Sequence, residues 1–549
     1  MSLKVALAQI NPTVGDFAGN YEIIHEAVIK GRQNKADIII FPEMAIEGYP
    51  PEDLLHKADF LKTSQKYQKK IAALSTAKLM IVIGGVNVTP LSNSLYNQAL
   101  VLHKGKIIHQ YSKRRLPNYG VFDEKRYFEC GLENLVITYM GKRIWISICE
   151  DIWPPNTQLS KEIRLNSVDL LINISASPFS TGKQNHREVF LSTLAKQSNC
   201  ALAYVNMWGG QDELIFDGHS MAFDSKGDML CKAQSFANDI IYAKPFTESK
   251  KKRETLKDIN GLKKKNKSDE LDEILKGLIV GTQDYILKNK FKGVLIGLSG
   301  GIDSALVAAI ASKALGPNNV WCVSMPTRFN SSGTVHDARS LAINLGVKFS
   351  EIPIQDLYSA YLSLLDKFIV SNKPGLAGEN LQARIRGNIL MALSNHGGKL
   401  VLTTGNKSEL AMGYCTLYGD MAGGFAVIKD LSKTKVFELS KHYNKLYPAK
   451  KIPGTIIKRP PSAELRLNQK DSDSLPDYDI LDGILEAFIE KDESYLEIKN
   501  RGFDSAVVRD CLKKVKYSEY KRRQTPPGIK ITHKAFSRDR RMPITNGYT

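Results

Sequence analysis

The chain has 549 residues, 43% of them hydrophobic and 24% charged, more than one hydrophobic core usually organises, so two large domains are expected. Its formal charge of +19 suits nucleic acid and equally suits polyphosphate or dinucleotide substrates, so charge selects neither. Apolar runs such as Leu79 to Ile83 are far shorter than a membrane span, no signal-like segment opens the chain, and seven scattered cysteines without a CxxC exclude a disulfide framework or zinc site, so a cytoplasmic protein without membrane association is expected.

From the N-terminus, short β-branched runs at 37–41, 81–86, 144–148, 170–174 and 201–205 alternate with helical patterns, which predicts a layered α/β domain. Between Lys244 and Lys267, ten lysines and arginines face three acids, a composition that resists burial and reads as a linker. The predicted division is a first domain over 1–243, a basic linker over 244–270 and a second domain over 271–549. In that second domain, strands at 294–298, 320–325 and 400–404 are separated by helical stretches long enough for parallel crossovers, so an open, doubly wound parallel sheet is expected.

Three strand ends of the first half carry reactive groups. Glu43 follows the run 37–41, Lys113 lies in YSKRRLPNYGVF, and Cys149 ends ISICEDIW. A cysteine attacking an unactivated amide needs a base for its proton and a cation or donors for the oxyanion, needs that Glu43 and Lys113 can meet. Singly, each is commonplace: a solvated glutamate, one lysine of a charged patch, a small core residue. The segments FPEMAIEGYPPEDLL, YSKRRLPNYGVFDEKRYFECG and ISICEDIWPP, in that order, resemble the signature segments of nitrilase-superfamily amidases. That resemblance implies an αββα sandwich with Glu43 as general base, Lys113 as oxyanion partner, Cys149 as nucleophile and Glu124 orienting the base. It also implies that Tyr119, Ser177 and Lys183 hold glutamine.

The second half opens on VLIGLSGGIDS, an apolar strand, a Gly-rich turn and then a helix former from Ala305. Gly300 and Gly301 permit positive φ and close backbone approach, so amide groups and the helix N-terminus can surround a phosphate, with Ser299 and Ser304 adding hydroxyls. Asp303 would repel phosphate unless it holds a divalent cation, which implies magnesium. The plainer reading is a tight turn with Asp303 and Ser304 as helix caps. Neither GxGxxG nor a Walker lysine is present. The SGGxDS pattern resembles the pyrophosphatase loop of enzymes that cleave ATP between its α and β phosphates, among them NAD, GMP and asparagine synthetases and several tRNA-modifying enzymes. By that resemblance the Rossmann-like second domain binds ATP through Gly297, Leu298, Ser299, Gly300, Gly301, Ile302, Asp303 and Ser304.

In LTTGNKSELAMGYCTLYGD, Asn406 and Glu409 have capping-box spacing. The same stretch is similar to a segment of NAD synthetases, which implies that Thr404 contacts ATP and that Glu409 binds magnesium and the dinucleotide substrate. Asn380 and Arg384, in ENLQARIRGN, match a segment contacting deamido-NAD, and Lys433 and Ser462 match ATP contacts. Residues 513–541 hold eleven lysines and arginines against Glu519 and Asp539. There Lys521, His533 and Lys534 match dinucleotide contacts. Leu417 stands where ammonia-using members commonly have lysine.

A nitrilase-like glutaminase fused ahead of an SGGxDS synthetase is the arrangement of glutamine-dependent NAD synthetases. It implies that Cys149 forms a glutamyl thioester and frees ammonia, while the second domain adenylylates the nicotinate carboxylate of deamido-NAD for ammonia to displace AMP. An enclosed ammonia path and a homo-oligomer are implied, with no nucleic-acid partner. Two other classes compete: a tRNA-modifying adenylyltransferase, motivated by the charge and the loop but leaving the amidase unexplained, and a non-catalytic scaffold, opposed by the intact Cys149, Asp303 and Glu409.

Overall fold

A computed structural model describes residues 3–88, 94–153, 156–246, 267–369 and 375–548. The chain forms two compact units, Met1–Lys265 and Asn266–Thr549. Most of the basic segment assigned above to a linker, 247–266, lies outside the described residues. Its last part, 267–270, does not: Lys267–Lys288 is a helix with Asp269 and Glu270 in its first turn, where acids favour the helix dipole. Those four residues are helical, not linker.

In the first unit, strands β1 (Val5–Gln9), β2 (Ile38–Ile40), β3 (Met80–Val88), β4 (Leu95–His103) and β5 (Lys106–Ser112) precede a second series. That series is β6 (Leu135–Tyr139), β7 (Lys142–Ile148), β8 (Leu170–Ser175), β9 (Ala201–Asn206), β10 (Trp208–Gln211), β11 (Leu214–Asp217), β12 (Met221–Phe223), β13 (Met229–Lys232) and β14 (Asp239–Ala243). Two six-stranded sheets result, in orders β14-β1-β2-β3-β4-β5 and β13-β12-β9-β8-β7-β6. Side-chain alternation stacks them. Val5, Leu7, Ile38, Ile40 and Val82 share one core with Ile144, Ile146, Ile148, Ile172 and Ile174 of the other sheet. The opposite faces are apolar too: Ala6, Ile39 and Ile81 pack on helices α1 (Phe17–Gln33) and α2 (Ala58–Ala72). Trp145, Leu171 and Leu202 pack on α3 (Asn156–Leu165) and α4 (Lys183–Ser198). Strands apolar on both faces thus become the middle of an αββα sandwich.

The second unit begins with α5 (Lys267–Lys288), β15 (Val294–Gly297), α6 (Ile302–Leu315), β16 (Val320–Ser324), α7 (Ser332–Leu345) and β17 (Lys348–Glu351). It continues with α8 (Gln355–Leu364), α9 (Gly375–Gly397), β18 (Leu400–Thr403), α10 (Lys407–Met412), β19 (Phe425–Ala426) and α11 (Lys433–Leu446). The all-parallel sheet runs β17-β16-β15-β18-β19. The chain leaves β15 first toward β16 and later returns to its other side at β18, so the C-terminal end of β15 is the topological switch point where α/β sheets bind ligands. SGGxDS begins there. Among the described residues, no helix is long and apolar enough to cross a membrane.

Candidate active sites

In the first unit the three residues singled out in the sequence stand at three strand ends, and Lys113 contacts Glu43 directly. Glu43 follows β2, Lys113 follows β5 directly, and Cys149 follows β7 at the start of a 3-10 turn, Cys149–Ile152. Gly84 of β3 makes the approach of Glu43 possible: a Cβ there would lie 2.2 Å from Met44 N and 2.6 Å from Glu43 Cα. Lys113 Nζ donates to Glu43 Oε1 at 2.7 Å and Glu124 Oε1 at 2.8 Å. Glu124 therefore reaches the base through the lysine and not directly. Asn97 Nδ2 donates to Glu43 Oε1 at 2.7 Å, the Ala176 amide to Glu43 Oε2 at 2.9 Å, and Tyr49 Oη to Glu124 Oε1 at 2.9 Å.

All these groups are buried. Burial opposes the charge of Lys113, yet Glu124 and Glu43 hold its pKa well above the ordinary lysine value. Burial raises Glu124 to about 7, with Lys113 opposing and Glu43 adding. Burial also pushes the Cys149 thiol well above the ordinary thiol range, with Glu43 adding and Lys113 opposing. Burial thus favours the neutral thiol at Cys149, and a reaction through its sulfur would need a base to take the proton. Cys149 sits at φ 40°, left-handed backbone that costs a non-glycine residue about 1–2 kcal/mol. Of the residues matched to glutamine, Ser177 is buried, its amide donating to Asn206 Oδ1 at 2.8 Å. Tyr119 is exposed, its hydroxyl donating to Glu150 Oε2 at 3.0 Å, and Lys183 Nζ donates to the Pro178 carbonyl at 2.9 Å.

In the second unit the whole loop from Gly297 to Ser304 lines a cavity of about 290 Å³, with Thr404, Glu409, Lys433 and Ser462 around it. Gly300 has φ +81°, and a Cβ on it would lie 2.2 Å from the Thr334 carbonyl oxygen. Gly301, expected to share that freedom, is instead extended (φ −86°, ψ 164°) and begins α6 as its cap. Asp303 and Ser304 do not cap the helix. Ser304 Oγ closes the loop on itself, at 3.1 Å from both Ser299 Oγ and the Gly301 carbonyl. Asp303 turns to Lys433 Nζ at 2.5 Å and to Asn406 Nδ2 at 2.8 Å.

Lys433 Nζ also donates to Glu409 Oε1 at 2.9 Å, so one ammonium joins two carboxylates. Burial opposes the lysine's charge, but Asp303 and Glu409 hold its pKa above the ordinary range. Burial lifts Glu409 to about 7, with Lys433 opposing and Asp303 adding, although its side chain keeps 18% exposure. The Asn406–Glu409 capping box exists, the Glu409 amide donating to Asn406 Oδ1 at 3.0 Å. The cap and the site are therefore built from the same two side chains. Among the described residues no three metal-ligating side chains cluster closely enough to hold a metal alone. Two carboxylates already sharing one cation beside a phosphate-sized loop fit magnesium, which takes few protein ligands and completes its shell with phosphate oxygens and water.

Five matched residues stay off the cavity wall. Asn380 Oδ1 accepts from Thr416 Oγ1 at 2.7 Å, Arg384 Nε donates to the Leu417 carbonyl at 3.2 Å, and Lys521 Nζ donates to the Gly413 and Cys415 carbonyls, each at 2.7 Å. These three brace the 413–420 segment, whose Thr416, Gly419 and Asp420 do line the cavity. Lys534 Nζ pairs with Asp492 at 2.5 Å, and the His533 carbonyl accepts from Lys530 Nζ at 2.8 Å. Sequence reasoning missed Arg386, Arg459 and Asp471 on the wall. Arg386 lies two residues from Arg384 in α9, but a mid-helix arginine carries no local mark of facing a cavity.

Residues 4–244 match the carbon-nitrogen hydrolase family and residues 273–525 the NAD synthase family. Over the full chain, the glutamine-dependent NAD(+) synthetase of Acinetobacter baylyi is 45% identical, covering 100% of this chain and 99% of its own. That of Thermotoga maritima is 43% identical, with the same coverage. A solved structure of the glutamine-dependent NAD+ synthetase from Acinetobacter baumannii in complex with adenosine diphosphate matches with a TM-score of 0.76 at 42% identity, covering 100% and 99% of the two chains. A structure from Cytophaga hutchinsonii shares the fold, with a TM-score of 0.84 at 21% identity over 100% and 98%. With an amidase-like site in one unit, a phosphate-loop site in the other and relatives alike along their whole length, the chain belongs to the glutamine-dependent NAD(+) synthetases.

Proposed function

We propose that this protein makes NAD+ by ATP-dependent amidation of deamido-NAD with glutamine as nitrogen donor, residues 1–243 acting as glutaminase and 267–549 as synthetase. The observation that carries the reading is the pairing of two different sites on one chain: a buried thiol with a lysine–dicarboxylate set, and an SGGxDS loop facing a lysine-bridged carboxylate pair. In the first site, Glu43 takes the thiol proton as Cys149 attacks the side-chain carbonyl of glutamine. Lys113, held between Glu43 and Glu124, stabilises the oxyanion, and as the intermediate collapses Glu43 returns the proton to the nitrogen, so that ammonia leaves and a glutamyl thioester remains. Water, activated by Glu43, releases glutamate. Tyr119, Ser177 and Lys183 hold the amino-acid portion of the substrate.

In the second site, the loop from Gly297 to Ser304 cradles the phosphates of ATP, and Thr404, Lys433 and Ser462 fix the nucleotide. The nicotinate carboxylate attacks the α-phosphorus, pyrophosphate leaves, and ammonia displaces AMP from the mixed anhydride. Asp303 and Glu409 would hold magnesium, which when bound neutralises phosphate charge. Asn380, Arg384, Glu409, Lys521, His533 and Lys534 are assigned to deamido-NAD. A cytoplasmic location and a homo-oligomer belong to this reading as well, the latter testable by light scattering.

The test is to incubate the protein with deamido-NAD, ATP, magnesium and either glutamine or ammonium, and to measure NAD+, AMP and pyrophosphate. Equimolar NAD+, AMP and pyrophosphate are expected from both nitrogen sources. Absence of NAD+ from either source would refute the proposal.

A further inference from the structure

The amidase set raises a mechanical problem that its reacting residues do not solve. Cys149 and Lys113 stand at the ends of different strands, β7 and β5, and those strands belong to different sheets. Cys149 is also held at φ 40°, a conformation that relaxes unless its surroundings over-determine it. A displacement of about 1 Å between reacting groups can cost about 10²-fold in rate. Something must therefore tie the two strand ends together.

We infer that Asp151 is the positioning residue that locks Cys149 and Lys113 into register, by gripping the chain on both sides of the lysine and just ahead of the cysteine. Its carboxylate is buried and makes four hydrogen bonds. Oδ2 accepts from Tyr111 Oη at 2.8 Å and from the Ile148 amide at 2.9 Å. Oδ1 accepts from the Arg114 and Arg115 amides at 3.1 and 2.9 Å. Tyr111, Arg114 and Arg115 bracket Lys113 at the end of β5, while Ile148 immediately precedes Cys149. Asp151 itself lies in the Cys149–Ile152 turn, so its bond to Ile148 closes the strained turn while its other three bonds reach across to the lysine's segment.

The acceptor count gives the carboxylate its specificity. All four partners are donors, and only an ionised carboxylate offers two oxygens that accept from all of them. Asparagine has the same shape but one oxygen, and whichever way it turns its NH2 group would face at least one backbone amide, leaving buried donors unpaired. Glu150, next in the chain, has no part in this junction: its carboxylate accepts from the exposed Tyr119 hydroxyl.

The inference rests on the glutaminase reading above, and the experiment separates the two. Asp151→Asn, Tyr111→Phe and Cys149→Ala are assayed for NAD+ synthesis from glutamine and from ammonium. Glutamine binding is measured by calorimetry on Cys149→Ala and on the Cys149→Ala/Asp151→Asn double variant. Asp151→Asn is expected to lower the glutamine-dependent kcat by about 10²-fold, with glutamine KM within threefold of the parent and the ammonium reaction unchanged. Tyr111→Phe, which removes one bond of four, is expected to cost less than tenfold. The double variant should bind glutamine as Cys149→Ala does, because the pocket persists and only the reacting groups have moved. A glutamine-dependent kcat within twofold of the parent in Asp151→Asn overturns the inference, as does loss of glutamine binding in the double variant, which would make Asp151 a folding residue. A Cys149→Ala enzyme that still uses glutamine would overturn the glutaminase reading itself, whatever Asp151→Asn does.

Discussion

The two reactive centres solve the problem of charge in opposite ways. Around Lys113 everything is dry: the side chains of Lys113 and Glu43 are each 1% exposed, and the ammonium is shared with a second buried carboxylate. Around Lys433 the ammonium is equally buried at 3%, but its partners Asp303 and Glu409 keep 16% and 18% exposure at the edge of an open cavity. The lesson concerns what each substrate brings. The side-chain amide of glutamine is itself neutral, so the charge beside the thiol is assembled and desolvated in advance, where preorganised groups act most strongly. ATP carries its own negative charge, and the second centre keeps its carboxylates at the solvent edge, bridged by one ammonium.

The sharpest way to break this division is Cys149→Ala. Removing a nucleophile costs many orders of magnitude, here expected to exceed about 10⁴-fold in the glutamine reaction, with the ammonium reaction preserved. Loss of both, measured as NAD+ formation from each nitrogen source, would mean that the second centre depends on the first for more than its nitrogen. Lys433→Met is next. Without the shared ammonium, Asp303 and Glu409 face each other uncompensated, and a loss of about 10²–10³-fold is expected in both reactions equally. A selective loss of the glutamine reaction would place Lys433 outside the ATP chemistry.

The strands of both units were legible because their determinants are local, whereas the αββα stacking of the first unit came only from family resemblance. The apolar runs 37–41 and 144–148 mark strands buried on both faces, and an apolar run ending in SGGIDS places the turn at a strand end. The strand ends carrying Glu43, Lys113 and Cys149 were legible for the same reason, although only family resemblance singled them out. What stayed hidden depends on register between distant strands. Asn97 reaches Glu43 because β3 lies between β2 and β4 and pairs so that Val86 lies opposite Asn97. Asp151 reaches Tyr111 across 40 residues. No pattern within either segment encodes such a meeting. Asn406 and Glu409 show the converse: their capping box was readable from spacing, whereas their reach to Asp303 and Lys433 needed the parallel neighbours β15 and β18.

A smaller effect tests the phosphate loop. Gly300→Ala places a methyl group 2.2 Å from the Thr334 carbonyl oxygen in left-handed backbone, and the strain of about 1–2 kcal/mol is expected to raise the KM for ATP about tenfold. The same substitution at Gly301, where φ is −86°, should cost less. Equal effects at the two positions would show that the loop changes shape when ATP binds.

The smallest effect separates charge that serves chemistry from charge that is merely buried. Glu47, four residues beyond Glu43, is buried beneath β3 and accepts from the Ser64 hydroxyl and from the Val86 amide at 3.1 Å. Burial raises its pKa from 4.5 to about 7, with the Ser64 bond opposing. A carboxyl whose folded pKa lies above its unfolded value binds its proton more tightly in the native state. Its stabilising contribution is complete below about pH 4.5 and is lost as pH rises through 7, with a slope of at most about 1.4 kcal/mol per pH unit. Glu47→Gln removes that titration while keeping an accepting oxygen. Its stability relative to the parent, followed by thermal unfolding between pH 4.5 and 7.5, is therefore expected to improve steadily with pH, while glutamine-dependent kcat stays within threefold at pH 7.5. A flat difference would mean that Glu47 ionises freely despite its burial, and that the dry character of the first unit is confined to the Lys113 centre.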